Sequence, residues 1–399
     1  MSKLKGNLLY AQSGGPTSVI NSSLYGTIVE AKKHEEIEKI YLGLNGLEGI
    51  LKEKLVTDKD IDDIELLKQT PGAFLGSCRY KIPDSSEDSS IYFKLLEIFK
   101  KYNIRYFFYN GGNDSMDTCY KISKFFKQNS YELRVMGIPK TIDNDLANTD
   151  HCPGFASASS YIANTVANIV ADSKSYPEGK ITVIEVMGRN AGWLTLSSYL
   201  AILSNLGPDL VYLPEEEFDI EKFKKDVIEI YNKKKYVVAV VSEGIKDKEG
   251  NLILKNKPKD SFGHMQMGGV CFYLTSLFEN YKTRPIELSL AQRADSLTIT
   301  TTDSKEAINS ARYAVKKAVH GISDKMVIIK RISSKPYKIK YGLCNLNEVA
   351  DFEKKVPLEL IKEAHNGNIS NIKTYICPLI EKHIKIKTKN GIVKFAKLK

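Results

Sequence analysis

Cysteine is sparse in this sequence. Six thiols, Cys78, Cys119, Cys152, Cys271, Cys344 and Cys377, are scattered over 399 residues with no Cys-x-x-Cys pair. That argues against a disulfide framework or a zinc site and leaves reduced, mostly buried thiols. No stretch approaches the ~18 consecutive apolar residues of a membrane span. A strand at Leu8–Ala11 follows the first residues so closely that there is no room for a signal peptide, so the expected compartment is the cytoplasm. Gly-x-Gly-x-x-Gly and Walker-type loops are absent, which removes the usual signals for dinucleotide and P-loop binding. No internal repeat or low-complexity segment stands out. The net charge of +10 and pI near 9.0 invite a nucleic-acid reading. However, lysine far outnumbers arginine and is interleaved with acids, as from Glu30 to Lys39, which describes a solvated surface. No nucleic-acid or membrane partner is expected.

What is present is a soluble globular composition, 42% hydrophobic and 10% aromatic, in a chain long enough for two domains. Apolar runs at Leu8–Ala11, Ile104–Tyr109, Val135–Ile138, Ile181–Val186 and Tyr236–Val241 read as buried strands. Between them lie helical patterns. One runs to about Lys33 with Ile20, Leu24, Ile28 and Ala31 on one face; others cover Ile91–Tyr102, the stretch holding Met116, Cys119, Ile122 and Phe126, and Ala156–Ser173. Strands alternating with helices predict an α/β fold with mostly parallel sheets covered on both faces. A short strand is expected at Lys325–Arg331. A hairpin is expected over Lys385–Lys397 around Asn390-Gly391, with Ile384, Ile386, Val393 and Phe395 on its apolar face and Lys385, Lys387 and Lys394 on a wet one.

The chemistry concentrates where strands end. Ser13-Gly14-Gly15-Pro16-Thr17 joins a strand to a helix N-terminus, where glycine lets the backbone approach an anion. Gly111-Gly112-Asn113-Asp114-Ser115 repeats that arrangement with an added carboxylate. Pro139-Lys140-Thr141-Ile142-Asp143-Asn144-Asp145 places two carboxylates one residue apart. In an extended stretch they point the same way, so one can take a proton from a hydroxyl while the other holds a magnesium ion or orients its neighbour. Asp143 is the plausible base, with its pKa held low by Lys140 and the metal. Met187-Gly188-Arg189 closes another strand and offers a guanidinium for a phosphate. Glu243 can accept hydrogen bonds from sugar hydroxyls, and Arg79, in a glycine-containing loop from Thr70 to Lys81, can hold a second phosphate.

These motifs, in this order from Gly14 to about Arg331, resemble the 6-phosphofructokinase family, and the Asp114 and Lys140 variants resemble its pyrophosphate-using branch. The resemblance implies two Rossmann-like three-layer α/β/α domains with a C-terminal extension. The donor domain would hold residues 1–150 plus about 265–315, and the sugar-phosphate domain 151–264 plus about 316–399 with the hairpin. It implies reversible transfer of a phosphoryl group from pyrophosphate to the 1-hydroxyl of fructose 6-phosphate, with Mg²⁺, in glycolysis and gluconeogenesis. The alternatives are an ATP-using enzyme of the same family and a catalytically silent sugar-phosphate-binding regulator.

By the same likeness Asp143 is the proton acceptor, and Lys140 and Asp114 join it in the catalytic set. Thr141, Ile142, Asp143, Met187, Gly188, Arg189 and Glu243 contact the sugar phosphate; Gly15 and Arg79 contact the donor. Asp114 stands where ATP-using relatives have glycine and would repel the α-phosphate of a nucleotide. Lys140 also replaces a glycine and adds positive charge for pyrophosphate. Asn113 occupies a position where most relatives have a magnesium-binding aspartate, which shifts weight to Asp145 and the donor oxygens. Val19 replaces a common glycine, in keeping with a donor that has no nucleoside. Met267, in His264-Met265-Gln266-Met267-Gly268-Gly269, stands where bacterial ATP enzymes have a phosphate-binding arginine. Arg284 with Tyr281 is the proposed substitute. Lys180 matches a residue that relatives lend to a neighbouring subunit, so a homodimer or larger homo-oligomer is expected.

Overall fold

Strands built from Val, Ile, Phe and Tyr with few polar residues need cover on both faces, and the chain supplies it by alternating them with helices. The computed structural model describes residues 4–254, 267–349 and 352–399. The chain begins β1 (Gly6–Gln12), α1 (Ile20–Ala31), β2 (Ile37–Gly43), α2 (Gly46–Ile50), β3 (Leu55–Thr57), α3 (Ser90–Lys101), β4 (Ile104–Gly111), α4 (Asn113–Gln128) and β5 (Arg134–Pro139). It continues α5 (Phe155–Ser173), β6 (Ile181–Val186), α6 (Trp193–Ser197), β7 (Leu210–Tyr212), α7 (Ile220–Lys234), β8 (Val237–Ser242), α8 (Val270–Ser276), β9 (Thr283–Glu287) and α9 (Ala291–Ala294). The last elements are α10 (Thr301–Val319), β10 (Lys325–Ser334), β11 (Tyr337–Asn345), α11 (Leu358–His365), α12 (Ser370–Ile380), β12 (Thr388–Lys389) and β13 (Ile392–Val393). None of the described helices is long and apolar enough to cross a membrane.

The first sheet has the order β11-β10-β5-β4-β1-β2-β3. Its centre is parallel, with β3 and β11 running antiparallel at the two edges. Alternate side chains feed two cores, as the two-residue period of a strand requires. Leu9, Ala11, Phe107 and Tyr109 pack with Phe99, Cys119 and Phe126 of α3 and α4. Leu8, Tyr10, Tyr106 and Phe108 pack with Leu24 and Ile28 of α1 and Ala311 and Val315 of α10. The second sheet, β7-β8-β6-β9, is parallel throughout. Ile184, Val186, Val238 and Val240 face α5, and Val183, Ala239 and Val241 face α7 and α8 through Phe223, Val227 and Leu274.

Sheet membership corrects the expected division of the chain. β10 and β11 extend the first sheet through β5, although the family resemblance places 316–399 in the second domain. β9 belongs to the second sheet, although 265–315 was assigned to the first. The physical cause is α10, whose apolar face packs on α1 and on the first sheet, so the strand that follows it is delivered there. The boundary expected at 264–265 and the residues His264–Gln266 lie outside the described residues.

The C-terminal hairpin is also shorter than expected. Asn390 and Gly391 both have positive φ, as a two-residue turn demands, but the ladder is Thr388–Lys389 against Ile392–Val393, with one further bond from Lys394 N–H to the Lys387 carbonyl at 3.0 Å. Gln69 takes over the flanking backbone. Its Nε2 donates to the carbonyls of Lys387 and Lys394, and its Oε1 accepts from Lys387 N–H. Thr70 Oγ1 accepts from Ala396 N–H. The tail therefore docks on the first domain, burying Ala396 and leaving Phe395 40% exposed rather than on an inner face.

A buried ionic cluster joins these parts. His151 Nδ1 meets Asp150 Oδ2 at 2.7 Å and Nε2 meets Glu306 Oε2 of α10. Arg331 of β10 pairs with Asp150, and Tyr337 donates to Glu306. With an acceptor on each ring nitrogen, the imidazolium is the form that satisfies both. Burial pushes the His151 pKa down, but the charge of Glu306 and the hydrogen bonds to both carboxylates override it and raise the value to about 9. A group raised in the folded state stabilises fully below its unfolded pKa of ~6.5 and ceases to as pH rises through the folded value. Denaturation measured across this window should show up to about 3 kcal/mol of stability draining away with rising pH. In His151→Gln the slope should lose this contribution, leaving that of the other shifted groups; an unchanged slope in the variant would contradict the assignment.

Candidate active site

Every parallel strand that was read as ending in chemistry ends at one cavity of about 1060 Å³. It lies at the carboxyl ends of strands from both sheets, the position where open α/β sheets bind ligands. Its size, at the upper end of small-molecule sites, leaves room for two substrates.

On the first-sheet side, β1 leads into the Gly14–Gly15 turn. Gly14 has φ of +74°, and its N–H donates to the Cys78 carbonyl at 3.1 Å. The turn is crowded by cations. Lys140, 3% exposed, donates from Nζ to the Gly15 carbonyl at 2.6 Å. A Cβ placed on Gly15 would stand 2.7 Å from Arg293 Nη1 and 3.9 Å from Arg79 Nη2. Glycine there leaves room for the Arg293 guanidinium to close on the turn, with Arg79 at ordinary contact distance. Withdrawal from water, helped by Arg293, lowers the Lys140 pKa to about 8. Burial and Arg79 likewise push Arg293 down. Three cations held against one another, with peptide N–H groups beside them, form a cradle that an anion stabilises.

β4 leads into α4, whose first turn brings Asn113 and Asp114 to the same cavity. Asp114 sits where the helix dipole favours negative charge. Asn113 Oδ1 is buried without a hydrogen-bond partner, an acceptor of the kind a hard cation uses. Asp145 lies on the same wall. Among the described residues no three His, Cys, Asp or Glu side chains could hold a metal by themselves. Asn113 and Asp145 offer this cavity oxygen atoms of the kind that bind a hard cation alongside substrate oxygens.

β5 supplies Lys140, Thr141, Ile142, Asp143 and Asp145. The expectation of an extended stretch is corrected here. Asn144 has φ of +57°, so the chain turns between the two carboxylates, yet both still face the cavity. Thr141 Oγ1 accepts from Asp143 N–H at 3.0 Å and holds the turn. Withdrawal from water raises the Asp143 pKa, against the pull of Lys140, Arg189 and Arg293. The low value expected of Asp143 depends on a bound metal acting together with Lys140. Withdrawal from water and the neighbouring Asp143 and Glu353 raise Asp145 to about 7.

The second sheet contributes Met187 and Arg189 after β6 and Glu243 after β8. Glu243 is pushed up to about 7 by burial and by Asp143. Gly188 does not line the cavity. Its N–H donates to Glu243 Oε1 at 3.3 Å, and its carbonyl accepts from Ser242, so it shapes the turn that presents Arg189. Lys180, Tyr281 and Arg284 are also absent from the wall. Lys180 precedes β6 and Arg284 is the second residue of β9, at the opposite end of the parallel sheet from the cavity. Tyr281 is packed against Tyr231 and Phe278. Arg293, which follows β9, does line the cavity. Arg293 follows β9 as Arg189 follows β6, a parallel that could have been noticed had Thr283–Glu287, broken by Pro285, been read as a strand. Glu353 and Lys355 also line the cavity and carry no local signal, since they arrive from far along the chain.

A family model described as Phosphofructokinase matches residues 7–318. A protein of Halomonas elongata named pyrophosphate--fructose 6-phosphate 1-phosphotransferase is 39% identical over 401 residues, covering 98% of this chain and 96% of the relative. A protein of the same name from Methylococcus capsulatus is 39% identical over 384 residues, covering 94% and 91%. Among solved structures, a pyrophosphate-dependent phosphofructokinase from Nitrosospira multiformis superposes with a TM-score of 0.88 at 36% identity, covering 99% of this chain and 96% of its own.

Proposed function

Because this chain belongs to the phosphofructokinase family, we propose that its cavity transfers a phosphoryl group between pyrophosphate and the 1-hydroxyl of fructose 6-phosphate. The reaction is reversible, giving fructose 1,6-bisphosphate and phosphate, and serves glycolysis and gluconeogenesis. The observation that carries this reading is the convergence of Lys140, Arg79 and Arg293 on the Gly14–Gly15 turn, with Asp143 beside them and an acid, Asp114, at the head of α4.

The donor pyrophosphate rests against the Gly14–Gly15 turn, where Lys140 and Arg79 neutralise its charge and that of the departing phosphate. Asp114 denies that space to the inner phosphate of a nucleotide. Met187, Arg189, Glu243 and the Thr141–Ile142 backbone orient the sugar phosphate so that its 1-hydroxyl faces the donor. Asp143 takes the hydroxyl proton as the new O–P bond forms and the P–O–P bridge breaks. Arg293, within reach of Asp143 and Glu243 on one side and Lys140 and Arg79 on the other, offsets the charge spread over the moving group. Asn113 and Asp145 would hold Mg²⁺, whose contribution when bound is to neutralise phosphate oxygens.

We further propose a homodimer or larger assembly in the cytoplasm. Lys180 directly precedes Ile181, which pairs in register with Thr283 beside Arg284. Two cations grouped on the far end of the sheet are suited to a second copy's site. Phosphorus NMR tests the reaction. Pyrophosphate and fructose 6-phosphate should yield the 1,6-bisphosphate and free phosphate, and the reverse mixture should regenerate pyrophosphate. A single-direction reaction, or phosphorylation at another hydroxyl, would contradict the reading.

A further inference from the structure

The segment from Glu353 to Val356 runs extended between the two domains. Leu146 and Glu353 form an antiparallel bridge, and Lys354 N–H donates to the Asp145 carbonyl at 2.7 Å. On the other side Trp193 Nε1 donates to the Lys354 carbonyl at 2.9 Å, and Val356 N–H donates to Glu215 Oε1 at 2.9 Å. Side chains alternate along it as in any strand. Glu353 and Lys355 line the cavity, while Lys354 turns away from it and behind the catalytic loop. Its Nζ donates to the carbonyls of Asp150 at 2.7 Å and Thr149 at 3.2 Å and to Asn144 Oδ1 at 3.4 Å. Three donors meet three oxygens, all uncharged, so the ammonium is fully used in tying backbone and amide together.

Asn144 is the residue between Asp143 and Asp145. It is buried, in the left-handed conformation with φ of +57°, which costs a non-glycine residue energy unless its surroundings hold it. Those surroundings are specific. Oδ1 also accepts from Cys152 N–H at 3.0 Å, and Nδ2 donates to Tyr375 of α12 at 2.9 Å. Tyr375 in turn donates to the Asp150 carbonyl at 2.6 Å.

We propose that Lys354 is a positioning residue for phosphoryl transfer, which acts through Asn144 and the Thr149–Asp150 carbonyls to hold the turn that aims Asp143 and Asp145 into the cavity. The inference rests on the transfer reaction described above and adds to it a role for the C-terminal part of the chain. The donor cradle is built elsewhere, from the Gly14–Gly15 turn, Arg79 and Lys140, so loss of Lys354 should act on turnover rather than on pyrophosphate affinity.

The test is a double-mutant cycle read in steady-state kinetics with pyrophosphate and fructose 6-phosphate. Lys354→Met should lower kcat by about 100-fold, the cost of a misplacement on the order of 1 Å at a reacting group, with little change in KM for pyrophosphate. Lys354→Arg should recover much of the loss. Asn144→Gly keeps the backbone conformation without strain and should lose kcat comparably, and it serves alone if Lys354→Met fails to fold. Because Lys354 acts in part through Asn144, the double variant should lose clearly less than the product of the two single losses. Losses that multiply, or full kcat in either folded single variant, would overturn the proposal. An inactive wild type would instead overturn the transfer reaction itself.

Discussion

Asp143→Asn should reduce turnover by about 10³-fold in both directions, while fructose 6-phosphate still binds. The substitution preserves shape and removes only the capacity to take a proton. The transferred group arrives as a phosphoryl with little bonding to either oxygen, so most of the catalytic work is placement and charge. The proton on the attacking hydroxyl must nevertheless leave, and Asp143 lies in the cavity between the donor cradle and the sugar side. Its surroundings suit a base that works on the product side of a crowded charge cluster. Burial pushes its pKa up, and Lys140, Arg189 and Arg293 draw it back down. Because the same carboxyl returns the proton in the reverse reaction, both directions must fail together. Steady-state rates each way, with equilibrium binding of the sugar phosphate, check this. A variant within tenfold of wild type, or one slowed in a single direction, would assign the proton to another group.

Removing Lys140 should be almost as damaging. Lys140→Met should cost pyrophosphate-dependent turnover about 10²–10³-fold, the usual consequence of deleting one preorganised charge at a transferring group. Asp114→Gly combined with Lys140→Gly should abolish pyrophosphate use altogether. Lys140 is enclosed, its ammonium pinned to the Gly15 carbonyl and crowded by Arg79 and Arg293. Lys140, Arg79 and Arg293 repel one another across one turn, offset in part by Asp143 and Asp145, and an anion between them adds to that offset. Methionine fills the same volume without the charge, so a loss of rate in Lys140→Met reports electrostatics rather than collapse of the turn. Rates at saturating pyrophosphate, with thermal denaturation as a control for folding, make the comparison. Retention of wild-type turnover by folded Lys140→Met would remove Lys140 from the reaction.

Much of this site was legible before the fold, because its residues sit in short runs directly after apolar strands. Gly14–Gly15, Asn113-Asp114, Lys140–Asp145 and Met187-Gly188-Arg189 are all of that kind, and all reach the cavity except Asn144 and Gly188, which serve the turns. What escaped was set by distance or by backbone detail. Asn144 reads as part of an extended stretch; it is held left-handed by Cys152, eight residues on, and by Tyr375 and Lys354, which are remote in sequence. Arg293 was missed because Pro285 interrupts the pattern of β9 and because the His264–Gly269 motif offered a closer likeness. The return of β10 and β11 to the first sheet depends on which surface α10 covers, and its own periodicity shows only that one face is apolar. The tail failed to form a longer hairpin because Gln69, from another part of the chain, competes for its backbone.

Use of pyrophosphate requires a donor site shaped for a small inorganic anion and closed to nucleotides. Turnover of fructose 6-phosphate by the unaltered enzyme, measured side by side with pyrophosphate and with ATP in the presence of Mg²⁺, tests it most directly. Pyrophosphate should support rapid formation of fructose 1,6-bisphosphate and ATP essentially none. Turnover with ATP equal to or faster than that with pyrophosphate would contradict the roles given to Asp114 and Lys140.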